Sequence, residues 1–410
     1  MRILVVTLLY SPDGGPSAPL FGMLCEGLAL RGHEVTVIAA VPHYPSGRVQ
    51  NGFRQWGIKR THERGVNVVR VPVPSIRRSS HPQRLVQFAC FQLAAAFAGL
   101  NQSYDVVLVS NPALETWLPF AVLGPARGKP AVFSVHDVYP DVGINLGVFR
   151  HKAIIKVVAG LERFCLSRSR YVRVLSHSFF EPVAALGIPR EKITLIYDWV
   201  DTDLIKPLSR DNRFAQEHQL DKQFVVLYAG NIGLSQGLEQ VLTTAELLQD
   251  HEEIKFVFVG DGAGRESLIS QATRRHLDNV KFLSFQPRSR LPEVLATADV
   301  SLITLKKGIG TASLPSKLFS ILASGRPILA SVDEGSDTWK LVQRSQAGMC
   351  VAPEDPAALA TAIGDLKNNP SLGKRLGEKG REYALINHSP EAATEKFEHL
   401  LLSALANHFF

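Results

Sequence analysis

Cysteine is scarce and scattered in this sequence. Cys25, Cys90, Cys165 and Cys350 are the only four in 410 residues, with no CxxC pair and no Cys/His cluster. That usage argues against a disulfide scaffold or structural zinc and fits a reducing compartment. Long apolar runs are missing too. Nothing approaches the ~20 residues a helix needs to cross a bilayer. The nearest stretch, Leu85–Leu100, is broken by Gln87, Gln92 and Gly99 and reads as a buried or interfacial helix. No helix-turn-helix, zinc-finger or RRM aromatic pattern is present, so nucleic acid is not an expected partner.

Acid is in shorter supply than base: 38 Asp and Glu against 45 Lys and Arg give a net charge of +7. The excess is local. Arg48, Arg54, Lys59, Arg60, Arg64, Arg70, Arg77, Arg78 and Arg84 share their stretch with one acid, Glu63. Two readings stand side by side, a solvated basic face or a patch held against an anionic membrane surface. With 45% hydrophobic and 20% charged residues the balance is that of a globular chain, and the length suggests two or three domains. At the start, the mostly apolar run Ile3–Leu9 is short and lacks a small-residue cleavage site. It leads into Ser11-Pro12-Asp13-Gly14-Gly15, so a first buried strand is expected rather than a signal peptide.

Short β-branched runs alternate with helical patterns almost throughout. In the first half the expected strands are Ile3–Leu9, Glu34–Ala40, Asn67–Val71, Val106–Ser110, Ala131–His136, Tyr171–Ser176 and Ile193–Ile196. In the second they are Phe224–Ala229, Lys255–Val259, Val280–Phe285, Val300–Leu305, Pro327–Ser331 and Met349–Ala352. Most are apolar on both faces, the mark of parallel sheets covered by helices on each side. Pro207 and the polar run Ser209–Gln219 interrupt the series. The fold class expected is therefore α/β, two doubly wound parallel-sheet, Rossmann-like domains facing a cleft. Their bounds are 1–204 and 205–388, with 389–410 a terminal helix.

Ligands of such sheets lie beyond the carboxyl ends of the strands, so the loops there are the candidates. Gly14 and Gly15 follow the first strand and precede a helix; the choice is between a tight turn and close backbone approach to an anion. Gly230, Asn231 and Gln236 belong to a three-glycine loop, Gly230–Gly237, that opens a helix and suits a phosphate cradle. Gly260 and Asp261 sit in Gly260-Asp261-Gly262-Ala263-Gly264, which lacks the full dinucleotide spacing and by itself is weak evidence for NAD. Lys306 to Thr311 is a basic loop. After it, Leu314, Pro315, Ser316, Lys317 and Leu318 start a helix whose amides and lysine can hold a diphosphate by dipole and charge together. His136 and Asp137, at a strand end with Asp141 nearby, are candidates for proton handling or sugar contacts, or else a structural His–Asp pair.

The segments Gly32–Ile38, Pro42–Gly47, Val226–Glu239, Phe256–Leu268 and Leu314–Ser331 (GHEVTVI, PHYPSG, VLYAGNIGLSQGLE, FVFVGDGAGRESL, LPSKLFSILASGRPILAS) run through nearly the whole chain. In them the chain resembles the retaining GT-B glycosyltransferases of bacterial polysaccharide synthesis, glycosyltransferase family 4-like. The nearest branch is that of lipopolysaccharide and colanic acid, resembling fucosyl- and N-acetylfucosaminyl-transferases. The resemblance implies a terminal helix crossing back to the first domain and a second domain that holds a UDP- or GDP-sugar. It places Gly14–Gly15 near the donor diphosphate, Gln286 and Pro287 at the base, and Lys317 with the amides after Pro315 at the diphosphate. His136 and Asp137 fall in the catalytic region. The acceptor implied is a lipid-linked or polysaccharide glycan, the location cytoplasmic or peripheral on the inner membrane face. No cofactor beyond the donor is implied, and no metal. Many relatives carry Arg and Lys where this chain has Asn231 and Gln236, and glutamates where it has Ala312 and Ser320. The alternatives this leaves are a catalytically altered partner protein and a sugar-nucleotide epimerase.

Overall fold

The computed structural model describes residues 1–77, 80–140, 151–309 and 314–406. The chain forms two compact units, Met1–Tyr197 together with Pro390–Phe410, and Asp198–Ser389. Each is a doubly wound α/β sheet.

The first unit holds β1 (Arg2–Val6), β2 (Glu34–Ala40), β3 (Lys59–Glu63), β4 (Val66–Val71), β5 (Val106–Ser110), β6 (Ala131–Val135), β7 (Tyr171–Val174) and β8 (Ile193–Leu195). They lie in the order β3-β4-β2-β1-β5-β6-β7-β8. All pair in parallel except β3, which runs antiparallel to β4. The runs RILVV, VVLVS and AVFSV form strands because β-branched residues fit a pleated surface buried on both sides. Parallel strands need crossovers, supplied by α1 (Ala18–Leu30), α2 (His81–Leu100), α3 (Ala113–Leu123), α4 (Lys152–Arg168) and α5 (Phe180–Ala185). The order turns at β1, between β2 and β5, so the loops after β1 and β5 border the point where ligands bind in such sheets.

β3 is absent from the sequence expectation, and its composition explains why. Lys-Arg-Thr-His-Glu offers no apolar alternation, and only its pairing with β4 makes it a strand. Its charges also blunt an exposed sheet edge. Part of the basic stretch therefore belongs to an edge strand. Arg70, counted there with the surface cations, is buried at 2% exposure. Arg78 lies outside the described residues.

The second unit contains α6 (Arg213–Glu217), β9 (Phe224–Ala229), α7 (Glu239–Leu247), β10 (Ile254–Val259), α8 (Arg265–Arg274), β11 (Val280–Leu283) and α9 (Leu291–Ala296). It continues with β12 (Val300–Thr304), α10 (Lys317–Ser324), β13 (Ile328–Ser331), α11 (Asp337–Ser345), β14 (Gly348–Val351), α12 (Pro356–Asn368) and α13 (Pro370–His388). Its six strands are all parallel, in the order β11-β10-β9-β12-β13-β14. That is the 3-2-1-4-5-6 winding, with its switch point between β9 and β12. Val226, Tyr228, Phe256, Phe258, Val300 and Leu302 are among the residues of its core. Each fully buried aliphatic or aromatic side chain contributes about 1.5–3 kcal/mol.

The last helix, α14 (Pro390–Ala406), belongs with the first unit and packs on α1. A Cβ on Gly27 would come within 2.3 Å of Thr394 Oγ1, so the two helices meet where α1 has no side chain. Glu398 closes the contact, accepting from Arg31 Nε at 2.7 Å and pairing with His33 Nε2 at 2.6 Å.

Candidate functional site

In the second unit the loops after β9, β10, β11 and β12 gather at the carboxyl edge of one sheet. Gly230 and Gly260 are bound into a single scaffold. Gly230 N–H donates to Val259 O at 2.9 Å, Ile232 N–H to Asp261 O at 2.8 Å, and Gly264 N–H to Ile232 O at 2.9 Å. A Cβ on Gly260 would fall 1.9 Å from Gly230 O, at a backbone φ of +150°. The GDGAG turn thus owes its glycines to the neighbouring loop that it supports. The Asp261 carboxylate accepts from Gly262 N–H at 2.8 Å. Gln286 and Pro287 follow β11, and Gly260 N–H donates to Leu283 O beside them.

The loop after β9 turns back on β12. Gln236 accepts at its carbonyl from Thr304 Oγ1 (2.7 Å) and at its side chain from Tyr228 O–H (3.1 Å). Its amide side chain therefore faces inward, while Asn231 is exposed. Lys306 N–H donates to Ser235 O (3.0 Å), and Gly308 N–H to the Asp333 carboxylate (2.9–3.0 Å), which tether the first residues of the basic loop. Thr311 and Ala312 lie outside the described residues.

Lys317 opens α10 and reaches under the β9 loop. Its Nζ is 3.6 Å from the centre of the Tyr228 ring. A Cβ on Gly230 would crowd that same nitrogen at 3.2 Å, and the backbone there, at a φ of +139°, favours glycine. The nitrogen is buried, with no hydrogen-bond acceptor among the described residues. Burial lowers its pKa from 10.5 to about 7. The Tyr228 ring face favours the cation but does not match lost hydration. Burial also pushes the Tyr228 hydroxyl up. At the start of α10, Leu318 N–H is spent on Pro315 O (3.0 Å) and the Leu318 side chain is in the core. The N–H groups of Ser316 and Lys317 have no acceptor among the described residues. Leu314 and Pro315 precede them, and Ser320 lies half-buried one turn along.

In the first unit the loops after β1 and β2 are laced together. Asp13, buried, accepts from His43 N–H (2.9 Å) and Tyr44 N–H (3.1 Å). Arg70 donates from beneath to Tyr10 O, Ala40 O and Ser11 O. This holds Gly14 at the exposed crest of the loop. Gly15 packs inward, where a Cβ would strike Leu9 Cδ1 at 2.4 Å.

At the ends of β5 and β6 a second network fixes the His136–Asp137 turn. Asn111 Oδ1 accepts from His136 N–H (2.7 Å), and Asn111 Nδ2 donates to Asp137 O (2.5 Å). Asn111 Nδ2 also reaches Glu162 Oε1 (3.3 Å), and Glu162 Oε2 accepts from Ala113 N–H (3.0 Å) at the start of α3. The His136 ring lies 5.7 Å from Phe21. Burial pushes the Glu162 carboxyl up to about 7, against the donors from Ala113 and Asn111. Glu115, in the first turn of α3, is pushed up to about 8 by burial, with Arg84 opposing and Asp137 adding to the rise. Among the described residues no group of three His, Cys, Asp or Glu could hold a metal ion.

Sequence reasoning singled out Lys317, the glycine loops and the His136–Asp137 turn. It did not single out Tyr228, Asn111, Glu115 or Glu162, and it counted Arg70 with a basic stretch rather than with the loop it supports. Glu162 carried a readable signal, since it falls in the buried stripe Val158–Glu162–Cys165–Leu166 of α4, where an acid is out of place. Asn111-Pro112 ends a strand at a switch point, another place to look.

Residues 17–199 match the Glycosyl transferase 4-like domain family and residues 209–383 match Glycosyl transferases group 1. The chain is 30% identical over 373 residues to an Escherichia coli (strain K12) protein named "Putative colanic acid biosynthesis glycosyl transferase WcaI", spanning 88% of this chain and 91% of that one. Among solved structures, sucrose-phosphate synthase from Thermosynechococcus elongatus superposes with a TM-score of 0.74 at 17% identity, over 99% of this chain and 100% of that one. Anabaena HepE in complex with UDP gives a TM-score of 0.70 at 16% identity, over 98% and 100%. These two likenesses show the shared fold.

Proposed function

Since the chain belongs to the group 1 glycosyl transferases and is a glycosyltransferase, we propose that it moves a sugar, with retention, from a UDP- or GDP-sugar to a lipid-linked or polysaccharide acceptor in cell-surface glycan synthesis. The observation that carries this reading is Lys317, whose buried side-chain nitrogen, like the two amides beside it at a helix start, has no hydrogen-bond acceptor among the described residues. A cation and an N-terminal dipole together suit the diphosphate of a departing nucleotide. The complex of HepE with UDP supports a uridine donor, and the name of the Escherichia coli relative supports a polysaccharide product.

In the second unit Lys317 and the amides of Ser316 and Lys317 neutralise the diphosphate as the anomeric C–O bond breaks. Gly230, Asn231 and Gly260 shape the floor beside it, and Gln286 and Pro287 meet the base. Neither Asn231 nor Gln236 brings charge, and Gln236 is committed to Tyr228, so Lys317 carries the electrostatic burden with Lys306 and Lys307. Gly14 allows the close approach of backbone to the sugar in the first unit. There His136 and Asp137 face the acceptor hydroxyl, whose oxygen bonds to the anomeric carbon while its proton is released. No metal is called for. The acceptor is met at an anionic membrane surface, with cations of the Arg48–Arg84 stretch contributing.

The test is a panel of UDP- and GDP-sugars incubated with membrane lipid extract, read by product mass spectrometry. One nucleotide sugar should add a hexosyl or N-acetylhexosaminyl mass to a lipid. No mass gain with any of them, together with no calorimetric binding of UDP or GDP at millimolar concentration, sinks the proposal.

A further inference from the structure

On the amino edge of the second unit's sheet, opposite the edge where Lys317 stands, lies a cavity of about 450 Å³. Phe224 at the start of β9, Asp299 before β12 and Pro327 before β13 line it, so it shares no residue with the candidate donor site. α10 spans the two, with Lys317 at one end and Ser324 at the cavity, about 10 Å apart along the helix axis. Much of the remaining wall is apolar and stiff, with Pro207, Leu208, Leu366 and Pro370 contributing. Gly325, at a φ of +69°, ends α10 against Pro207, where a Cβ would stand 3.0 Å from Cγ. Small-molecule sites are typically about 300–1,000 Å³, largely apolar, with a few polar groups that orient the ligand.

The charges around this cavity pair off until two cations are left. Asp299 accepts from Arg210 Nε at both oxygens (2.9 Å each) and from Val225 N–H (2.7 Å). Glu378 stands 3.9 Å from Lys374, and Lys367 is bound to Glu253. Arg326 and Arg381 have no carboxylate within 4 Å among the described residues. Their acceptors are carbonyls, Leu208 O for Arg326 (3.0 Å) and Thr202 O, Ile205 O and Ala323 O for Arg381 (2.8–3.1 Å). Burial lowers the pKa of both guanidiniums, with Asp299 and Asp203 opposing it from farther off. Arg381 is thus largely spent on the chain, whereas Arg326 spends a single N–H of its fork. The helix ends supply no missing anion. Arg381 answers the carbonyl end of α10 at Ala323, Lys367 stands in the last turn of α12, and the positive end of α13 borders the cavity at Pro370 and Gly373.

We propose that this cavity binds a small organic phosphate, its phosphoryl oxygens on Arg326 and its apolar body against Leu208, Phe224 and Leu366. A guanidinium fork meets a phosphoryl group through two parallel hydrogen bonds. Arg381 lines the same cavity, so a phosphomonoester head with nearly two negative charges is matched better than a carboxylate with one. The apolar wall adds the second half of the recognition, which inorganic phosphate cannot use. The site stands at the far edge of the sheet from the candidate donor loops, and it depends on neither the donor nor the acceptor proposed above.

The experiment is calorimetric titration of the full chain with phenyl phosphate, inorganic phosphate, benzoate and phenol. Phenyl phosphate should bind at submillimolar concentration, and each of the other three at least about tenfold more weakly. Arg326→Gln should weaken phenyl phosphate at least about tenfold, the scale of hydrogen bonds to a charged group. Gly373→Phe starts from a helical position where a Cβ would meet only Pro327 Cγ, at 3.8 Å, and fills the cavity with a ring. It should abolish phenyl phosphate binding without lowering the thermal midpoint, which keeps misfolding apart from a lost site. Lys317→Met should bind phenyl phosphate like the parent, which separates this cavity from the candidate diphosphate site. The proposal is overturned if phenyl phosphate does not bind at millimolar concentration, if a folded Arg326→Gln or Gly373→Phe variant binds it like the parent, or if Lys317→Met loses it. Phenol, benzoate or inorganic phosphate binding as tightly as phenyl phosphate overturns it as well. Failure of UDP and GDP to bind would remove the donor reading and leave this cavity standing.

Discussion

Replacing Lys317 by Met keeps the length of the side chain and removes the charge under the β9 loop. In the folded chain burial brings this ammonium from 10.5 to about 7. The difference of about 3.5 units, at 1.36 kcal/mol each, makes the buried charged form cost about 5 kcal/mol. Above pH 10.5 the amine is neutral folded and unfolded, and nothing is lost. Between 7 and 10.5 the unfolded chain holds one more proton, so stability rises with pH across that window; below 7 the folded chain carries the whole cost. A nucleoside diphosphate reverses the preference, because its oxygens favour the ammonium. At pH 8 about nine-tenths of the ligand-free lysine is neutral, whereas a terminal phosphate with a pKa near 6 is already ionised. Binding of UDP or GDP should therefore take up close to one proton, measured by calorimetry in buffers of low and high ionisation enthalpy. Lys317→Met should take up none and bind about ten- to a hundredfold more weakly, the scale of a hydrogen bond to a charged group. Its thermal midpoint without ligand should rise near pH 7. Binding without proton uptake in the parent, or full affinity in the folded variant, refutes the assignment.

Gly260→Ala would drive a Cβ into Gly230 O and should cost about 2–4 kcal/mol, lowering the thermal midpoint and the affinity for UDP together. Asn111→Ala removes the bonds to His136 N–H and Asp137 O; kcat should fall at least about tenfold with the KM for donor little changed, since each buried bond is worth about 1–3 kcal/mol. For Glu162, raised from 4.5 to about 7, both states are protonated below 4.5. Through the window up to 7 only the unfolded carboxyl ionises, so stability falls as pH rises. Glu162→Gln should flatten the dependence of the thermal midpoint on pH between about 5 and 7; a slope equal to the parent's would show that another group titrates there.

Both doubly wound sheets were legible in the residues because their causes are local. β-branched runs apolar on both faces can only be buried strands, and a glycine-rich turn between such a strand and a helix marks the carboxyl edge. Lys317 was legible for the same reason, since a lysine in a first helical turn opposes the dipole and calls for an explanation. Folding alone decided that its nitrogen sits over Tyr228 beneath Gly230, where burial rather than sequence neighbours sets its proton affinity. The same holds for Arg70, a cation of a basic stretch that packs inside, and for Glu162, which Asn111 ties to the His136 backbone. β3 exists because β4 is beside it. Strand propensity and turn chemistry act over a few residues, whereas desolvation and contact depend on atoms brought together from distant parts of the chain.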